Sequence, residues 1–317
     1  MLKMYHRDVE SGASAAYWER FGRHGTLADR VRFLDVDPLR PLFQRFLRPG
    51  AVMLEGGCGR GQYVAYYSAY GARVVGLDFA RDWLAAIHAE APSLTLCAGD
   101  VGRLPFKDRS FDLYYSGGVV EHFEGGADRA LAEARRVLKP NGTLLISVPY
   151  FSPMRKALSL MRHDEWRRVA GPTVDRTERN GSRRFYQYAY TVREFERLLV
   201  SAGLRVLGTQ AYAILWGLYD VESIRRVVQR FERRRIGPAE AGHHVHATSV
   251  APDSSTSYVV SGFSRTTGNA PHAPLLKRLL VAEDATAPAG WLVKIGRWAC
   301  ANMMMYVCTP EHRGAAA

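Results

Sequence analysis

The stretch Val52-Met53-Leu54-Glu55-Gly56-Gly57-Cys58-Gly59-Arg60-Gly61 ends an apolar run in an acid and sets glycines at 57, 59 and 61. Lacking Cβ atoms, such a turn lets the backbone approach a ligand closely. A pyrophosphate is one ligand that uses a turn of this kind. The dinucleotide fingerprint, however, wants GxGxxG or GxGxxA, and the last position here is Gln62. Glu55 would also repel a pyrophosphate, whereas it suits a cationic ligand. Asp78 ends a second apolar run, and its two carboxylate oxygens can accept both hydroxyls of a ribose. Asp100 follows a third run, where it can meet the exocyclic amine of an adenine. Alone, each acid reads as a cap or loop residue. At successive strand ends, the three together form a far more specific signal.

The elements that must position these residues follow from the pattern around them. Ala51–Leu54, Arg73–Leu77, Leu94–Cys97, Phe111–Tyr115 and Thr143–Val148 read as strands. Helices are expected over 62–70, 80–90 and 128–138, the last stopped by Pro140-Asn141-Gly142. Alternating strands and helices argue for right-handed βαβ units and a mostly parallel sheet, hence an α/β fold. In an open sheet of this kind, ligands bind beyond the carboxyl ends of the strands where strand order reverses. Residues 14–48 read as helical, with Tyr17, Trp18 and Phe21 clustered. Tyr150–Tyr190 is a basic and aromatic excursion. Thr191–Ala202 returns as a helix with a capping-box pattern at Thr191 and Glu194, followed by strands over 204–213 and 302–308.

The chain has 317 residues, of which 47% are hydrophobic, which is too apolar for a disordered chain. Cys58, Cys97, Cys300 and Cys308 show no CxxC spacing, which argues against a disulfide scaffold or a zinc ribbon. Met1–Glu10 lacks the apolar centre of a signal peptide. No apolar run reaches the length of a membrane span, so a cytoplasmic protein is the default expectation. The net charge of +12 is uneven: residues 1–150 carry +2 and residues 151–317 carry +10. The basic half fits a solvated face, or attraction to nucleic acid, an anionic membrane or a phosphorylated substrate.

Several ordered motifs resemble the class I S-adenosylmethionine-dependent methyltransferases of the small-molecule, type 11-like kind. They are LEGGCGRG at 54–61, VVGLDFA at 74–80, AGDVGRLPFKDRSFDLYYS at 98–116 and ARRVLKPNGTLLISVP at 134–149, with FYQYAYTVREFERLLVSAGLRV at 185–206. The resemblance implies a doubly wound, Rossmann-like seven-stranded sheet with its last strand antiparallel, plus helical insertions. It implies S-adenosylmethionine as cofactor. By it, Gly57, Gly59 and Gly61 line the methionine end and Glu55 sits near the ammonium. Asp78 meets the ribose, Phe79 lies beside the adenine, and Asp100 and Val101 take the adenine edge. Ser116 and Gly117 face the sulfonium.

His122, with Glu121 beside it, follows the fourth strand in a loop that opens over the cofactor in that fold, so His122 is the candidate general base. The alternative is that both pack structurally at the start of the next helix. The segment also resembles an ExxEH metal-binding run of ubiquinone-biosynthesis O-methyltransferases. Here Gly118 replaces the first acid, so no metal is expected. His243-His244-Val245-His246 lies in a low-complexity loop and reads as solvated. The Asn/Asp-Pro-Pro-aromatic motif of base-amino methyltransferases is absent, with Ser116-Gly117-Gly118 in its place, which argues against a nucleic-acid adenine substrate.

The resulting expectation is methyl transfer to a small-molecule acceptor, first at oxygen. Arg among aromatics in the excursion points to an anionic, sugar-linked or lipid-linked acceptor. Two alternatives stay open: an RNA or protein methyltransferase docking through the basic half, and a non-catalytic cofactor-binding partner subunit. The expected organisation is a helical cap at 1–49, a cofactor-binding core at 50–216 with the 150–190 excursion covering substrate, a basic insertion at 217–297, and a final strand and tail at 298–317. Apolar-plus-basic helices around 221–235, 275–280 and 291–298 fit peripheral membrane contact as well as packing on the domain or a second subunit.

Overall fold

A computed structural model describes residues 1–6, 26–161, 165–172, 184–224, 226 and 288–311. Tyr17, Trp18, Phe21, the 237–274 loop with its histidines, the 275–280 run and the 227–235 part of the basic helix lie outside the described residues. The chain opens with β1 (Leu2–His6), α1 (Leu27–Arg32), a 3-10 turn and α2 (Arg40–Phe46). It continues through β2 (Val52–Gly56), α3 (Gln62–Ala69), β3 (Arg73–Asp78), α4 (Arg81–Glu90) and β4 (Thr95–Ala98). Next come β5 (Phe111–Gly117), α5 (Asp128–Val137), β6 (Leu138–Pro149), α6 (Pro153–Leu158), β7 (Trp166–Arg168) and β8 (Arg184–Ala189). Then follow α7 (Val192–Ser201), β9 (Leu204–Tyr212), α8 (Ile214–Leu218), α9 (Pro288–Cys300) and β10 (Met303–Pro310).

Seven strands form one sheet in the order β4-β3-β2-β5-β6-β10-β9. β10 runs antiparallel to both β6 and β9, as expected for the last strand. The chain leaves β2 towards β3 and β4, then returns to β5 on the other side of β2. Strand order therefore reverses between β2 and β5, and the carboxyl ends of strands at such a point are where open α/β sheets bind ligands.

Side chains alternate between the two faces with the period of two that a strand imposes. Leu54, Tyr114, Leu144, Ile146, Met304 and Tyr306 pack with α5 and α7. Met53, Leu113, Tyr115, Leu145, Met305 and Val307 pack with α2, α3 and α4. Burial on both faces explains why these strands read as continuous apolar runs. Among the described residues, no helix is long and apolar enough to cross a membrane.

Three local features differ from the sequence expectation. Within 26–48 the single expected helix is broken: Asp37 accepts the backbone N–H of Leu39 at 2.9 Å, next to Pro38, and splits α1 from α2. Pro140-Asn141-Gly142 does not separate helix from strand but lies inside β6. The pairing of β6 with β5 slips there, from Phe111↔Leu138 to Leu113↔Thr143. A Cβ on Gly142 would lie 3.0 Å from the carbonyl oxygens of Lys139 and Phe111, so the bulge needs glycine. Finally, residues 2–6 form a strand. With β7 and β8 it makes a second, antiparallel sheet in the order β7-β1-β8, built over the excursion.

The capping box at α7 is present. Thr191 Oγ1 accepts the Glu194 N–H, and the Glu194 carboxylate accepts the Thr191 N–H at 2.8 Å.

Candidate functional site

The glycine turn is held by its neighbours on β3. The N–H groups of Gly57 and Cys58 both donate to the Leu77 carbonyl, at 2.7 and 2.9 Å. The Gly59 N–H donates to Asp78 Oδ2 at 2.8 Å, and the Ala80 N–H to Asp78 Oδ1 at 2.9 Å. Gly57, Gly59 and Gly61 have φ of +78°, +51° and +73°, where a side chain is strained. Packing enforces glycine as well. A Cβ at Gly57 would stand 2.3 Å from Val119 Cγ2, and one at Gly61 would stand 3.0 Å from Ile87 Cδ1. The turn is thus pressed against the segment that follows β5. The sequence suggests glycine here for close approach of a ligand; the structure adds a tight internal contact as an equal reason.

Three carboxyls surround this turn. Glu55 is buried, and its Oε2 has no hydrogen-bond partner among the described residues. Burial pushes its carboxyl well above the usual range, against the Val64 backbone N–H, and the nearby Asp78 adds to the rise. A buried carboxyl with an unpartnered oxygen is costly unless a donor or a cation meets it. Asp78 is also buried and raised by burial, opposed by the N–H groups of Ala80, Gly59 and Phe79. With three N–H groups around its two oxygens, Asp78 keeps one lone pair for a further donor. Phe79, next in sequence, is 45% exposed and offers a flat apolar face. Asp100 closes a turn beyond β4, accepting the Gly102 N–H at 2.7 Å. The Val101 side chain is buried in the core.

Across the switch point, β5 ends at Ser116 and Gly117. Ser116 is buried, and a Cβ on Gly117 would lie 2.3 Å from the Tyr115 hydroxyl oxygen. The Gly118 N–H donates to the Ser147 carbonyl at 3.0 Å. The chain then makes a 3-10 turn, Val120–His122, rather than the start of the next helix, which begins at Asp128.

His122 Nδ1 lies 2.8 Å from the Tyr186 carbonyl oxygen on β8. A carbonyl only accepts, so Nδ1 carries the proton and Nε2 keeps its lone pair. Burial lowers His122 to about 4, against the Tyr186 carbonyl. Burial raises Glu121 to about 8. Their closest approach, Nε2 to Oε1, is 3.9 Å. At neutral pH both groups are uncharged, so this contact is not an ion pair. The Glu121 carboxyl folds back against Gly118, where a Cβ would lie 3.4 Å from Oε1. Its Oε2 has no hydrogen-bond partner among the described residues.

The second sheet clamps this turn. The Tyr188 hydroxyl donates to the Glu124 carbonyl at 2.9 Å, and the fully buried Lys3 Nζ lies 3.0 Å from Glu124 Oε1. Lys3 also stands over the rings of Tyr5 and Phe185. Neither Lys3 nor the Tyr186 carbonyl is a candidate from sequence, because partners more than sixty residues apart leave no local pattern.

The excursion's aromatics Tyr150, Phe151, Trp166, Phe185, Tyr186 and Tyr188 are all buried, with Tyr186 set against the His122 ring. Arg155 is also committed internally. It donates to Asp220 Oδ2 at 2.7 Å, to the Tyr150 and Asn302 carbonyls at 3.0 Å, and to the Asn302 side chain. It therefore lends no support to an anionic acceptor.

Residues 54–146 match a family model described as a methyltransferase domain. The chain is 35% identical over 109 residues to a probable S-adenosylmethionine-dependent methyltransferase of Mycolicibacterium smegmatis, covering 33% of this chain and 42% of that one. It is 36% identical over 102 residues to a malonyl-[acyl-carrier protein] O-methyltransferase of Erwinia billingiae, covering 32% of this chain and 39% of that one. The match thus spans less than half the length of these curated relatives. Among solved structures, a putative methyltransferase of Haloferax volcanii, in complex with the Trm112 methyltransferase activator, aligns over 94% of this chain and 95% of that one. The identity is 16% and the TM-score 0.48.

Proposed function

Because residues 54–146 form a class I S-adenosylmethionine-dependent methyltransferase domain, we propose that the protein methylates an oxygen of a small-molecule acceptor. One observation carries this reading. The glycine turn, with its buried carboxyls Glu55 and Asp78, packs through Gly57 directly on Val119, three residues before a histidine whose Nε2 holds the lone pair. The O-methyltransferase named among the relatives supports oxygen as the acceptor atom.

The residues fit the cofactor. Glu55 Oε2, buried and without a hydrogen-bond partner among the described residues, suits an ammonium group. The remaining lone pair of Asp78 suits a ribose hydroxyl, and Phe79 suits a base. Asp100 takes the exocyclic amine, with Val101 behind it. Ser116 and Gly117 stand at the methyl-transfer side. Bound S-adenosylmethionine supplies an activated methyl group on a positively charged sulfur.

In this reading, residues 50–216 hold the cofactor and the 150–190 excursion orders the reacting turn. His122 Nε2 accepts the hydrogen bond of the acceptor hydroxyl and takes its proton. A base titrating near 4 is adequate, because a hydroxyl oxygen that gains a methyl becomes far more acidic than an imidazolium. Glu121, neutral beside it, keeps a carboxyl proton to donate. The test is calorimetric titration with S-adenosylhomocysteine, with NADH as control and Asp78→Ala alongside. Tight binding lost in the variant is expected. Binding only to NADH, or no binding, sinks the reading.

A further inference from the structure

Helix α9 is built inside out. Its small-residue side faces the domain: a Cβ on Gly296 would lie 3.8 Å from Ile214 Cδ1 of α8, and one on Gly217 of α8 would collide with the Cys300 carbonyl oxygen. This close approach of α8 and α9 leaves the opposite side outward. There Trp291, Ile295 and Trp298, spaced four and three residues apart and hence on one helical face, are 65%, 41% and 61% exposed. The charged residues of α9 are Lys294 and Arg297, both cations, with no acid in the helix. α6 packs on α9, and the turn after it exposes Leu160 and Met161.

We propose that the Trp291–Ile295–Trp298 face of α9 seats the protein on an anionic lipid surface. Indole rings favour the headgroup level, where their apolar body and their N–H are both satisfied. Lys294 flanks the apolar stripe and Arg297 lies further round, where they meet lipid phosphates, and each such cation adds attraction that salt screens. A helix of thirteen residues lies in the interface and does not span it. A soluble protein partner would also cover apolar surface, but two tryptophans with cations and no acid match an anionic membrane more closely.

The test is flotation of the full chain with phosphatidylcholine vesicles, with and without about one-third phosphatidylglycerol. Binding to the anionic vesicles is expected, reduced by salt and weakened on the order of tenfold or more in Trp291→Ala/Trp298→Ala. Lys294→Gln/Arg297→Gln should erase the preference for anionic lipid while leaving the thermal melt unchanged. Brominated lipid should quench tryptophan fluorescence of the wild-type chain. Absence of flotation, or flotation undiminished in the tryptophan variant, overturns the proposal. So does a dimer in light scattering that the same variant dissolves without any vesicle binding, since a second copy would then be the occupant.

Discussion

The His122 ring is held by the backbone of Tyr186: Nδ1 donates to that carbonyl across 2.8 Å, and the two rings meet edge to face at 5.0 Å. The protonation pattern of the imidazole is therefore set by β8, a strand of the second sheet, and not by its own turn. His122→Gln is expected to lower kcat by about a hundredfold or more, the usual contribution of a positioned base. Calorimetric affinity for S-adenosylhomocysteine should stay near wild type. A variant with full kcat would remove His122 from the chemistry.

On the proposed reading, an ammonium docked at Glu55 couples cofactor binding to proton release. Its carboxyl is pushed well above the usual carboxylate range by burial, with the nearby Asp78 adding to the rise. An ammonium placed against it favours the ionised form. Titrations of S-adenosylhomocysteine in buffers of different ionisation enthalpy should show up to one proton released per ligand, with affinity falling as pH falls. Glu55→Gln should abolish the release. Equal release in wild type and variant would place the ammonium elsewhere.

Glu121 and His122 tilt stability in opposite directions with pH. Glu121 moves from 4.5 unfolded to about 8 folded, so its contribution is complete below 4.5 and is lost as pH rises through 8. His122 moves from 6.5 to about 4, so the folded state is penalised as pH falls from 6.5 to 4. The two slopes offset each other between 4.5 and 6.5. Above 6.5 the His122 slope is gone and the Glu121 slope remains. Glu121→Gln should therefore flatten the decline between pH 6.5 and 8, read by urea unfolding at several pH values. An unchanged slope would show Glu121 to be ionised in the folded chain.

Gly57 and Val119 should be energetically coupled. Gly57→Ala puts a methyl 2.3 Å from Val119 Cγ2 at a φ of +78°. Strain and overpacking each cost about 1–3 kcal/mol. Val119→Ala opens the space, so the double variant should be more stable than the sum of the singles by on the order of 1 kcal/mol. Additive losses in a denaturant-based double-mutant cycle would mean that the loop moves away from Val119.

Lys3→Met should loosen the turn that carries His122. The ammonium lies 3.0 Å from Glu124, inside the second sheet. Its removal leaves Glu124, itself about a quarter exposed, able to reach water. A stability loss of about 1–3 kcal/mol is expected, with kcat lowered more than KM is raised. A loss of stability with intact kcat would confine Lys3 to a folding role.

The alternating core was legible in the sequence because each parallel strand is a local apolar run ended by glycine, proline or acid. The glycine turn, Asp78, Asp100 and the capping box at Thr191 were legible for the same reason: each is a short-range pattern. β1 was not, since Leu2-Lys3-Met4-Tyr5 carries a lysine in its middle and pairs with residues about 160 to 190 positions away. The packing of the excursion was not legible on similar grounds. An aromatic such as Tyr186 looks alike in sequence whether it meets a ligand or the core. Pro140-Asn141-Gly142 misled because a bulge and a helix stop use the same residues.

The position of β10 has a consequence for synthesis. It follows β9 by roughly ninety residues, yet it lies between β6 and β9 and hydrogen-bonds to both. A nascent chain that has emerged through β9 therefore has an open edge on β6 and a β9 with no strand partner among the described residues. Such edges invite pairing with other chains. The sheet closes only when a segment made much later inserts between them. A ribosome stalled after β9, or a cut before Met303, should thus yield an aggregating species rather than a smaller working domain.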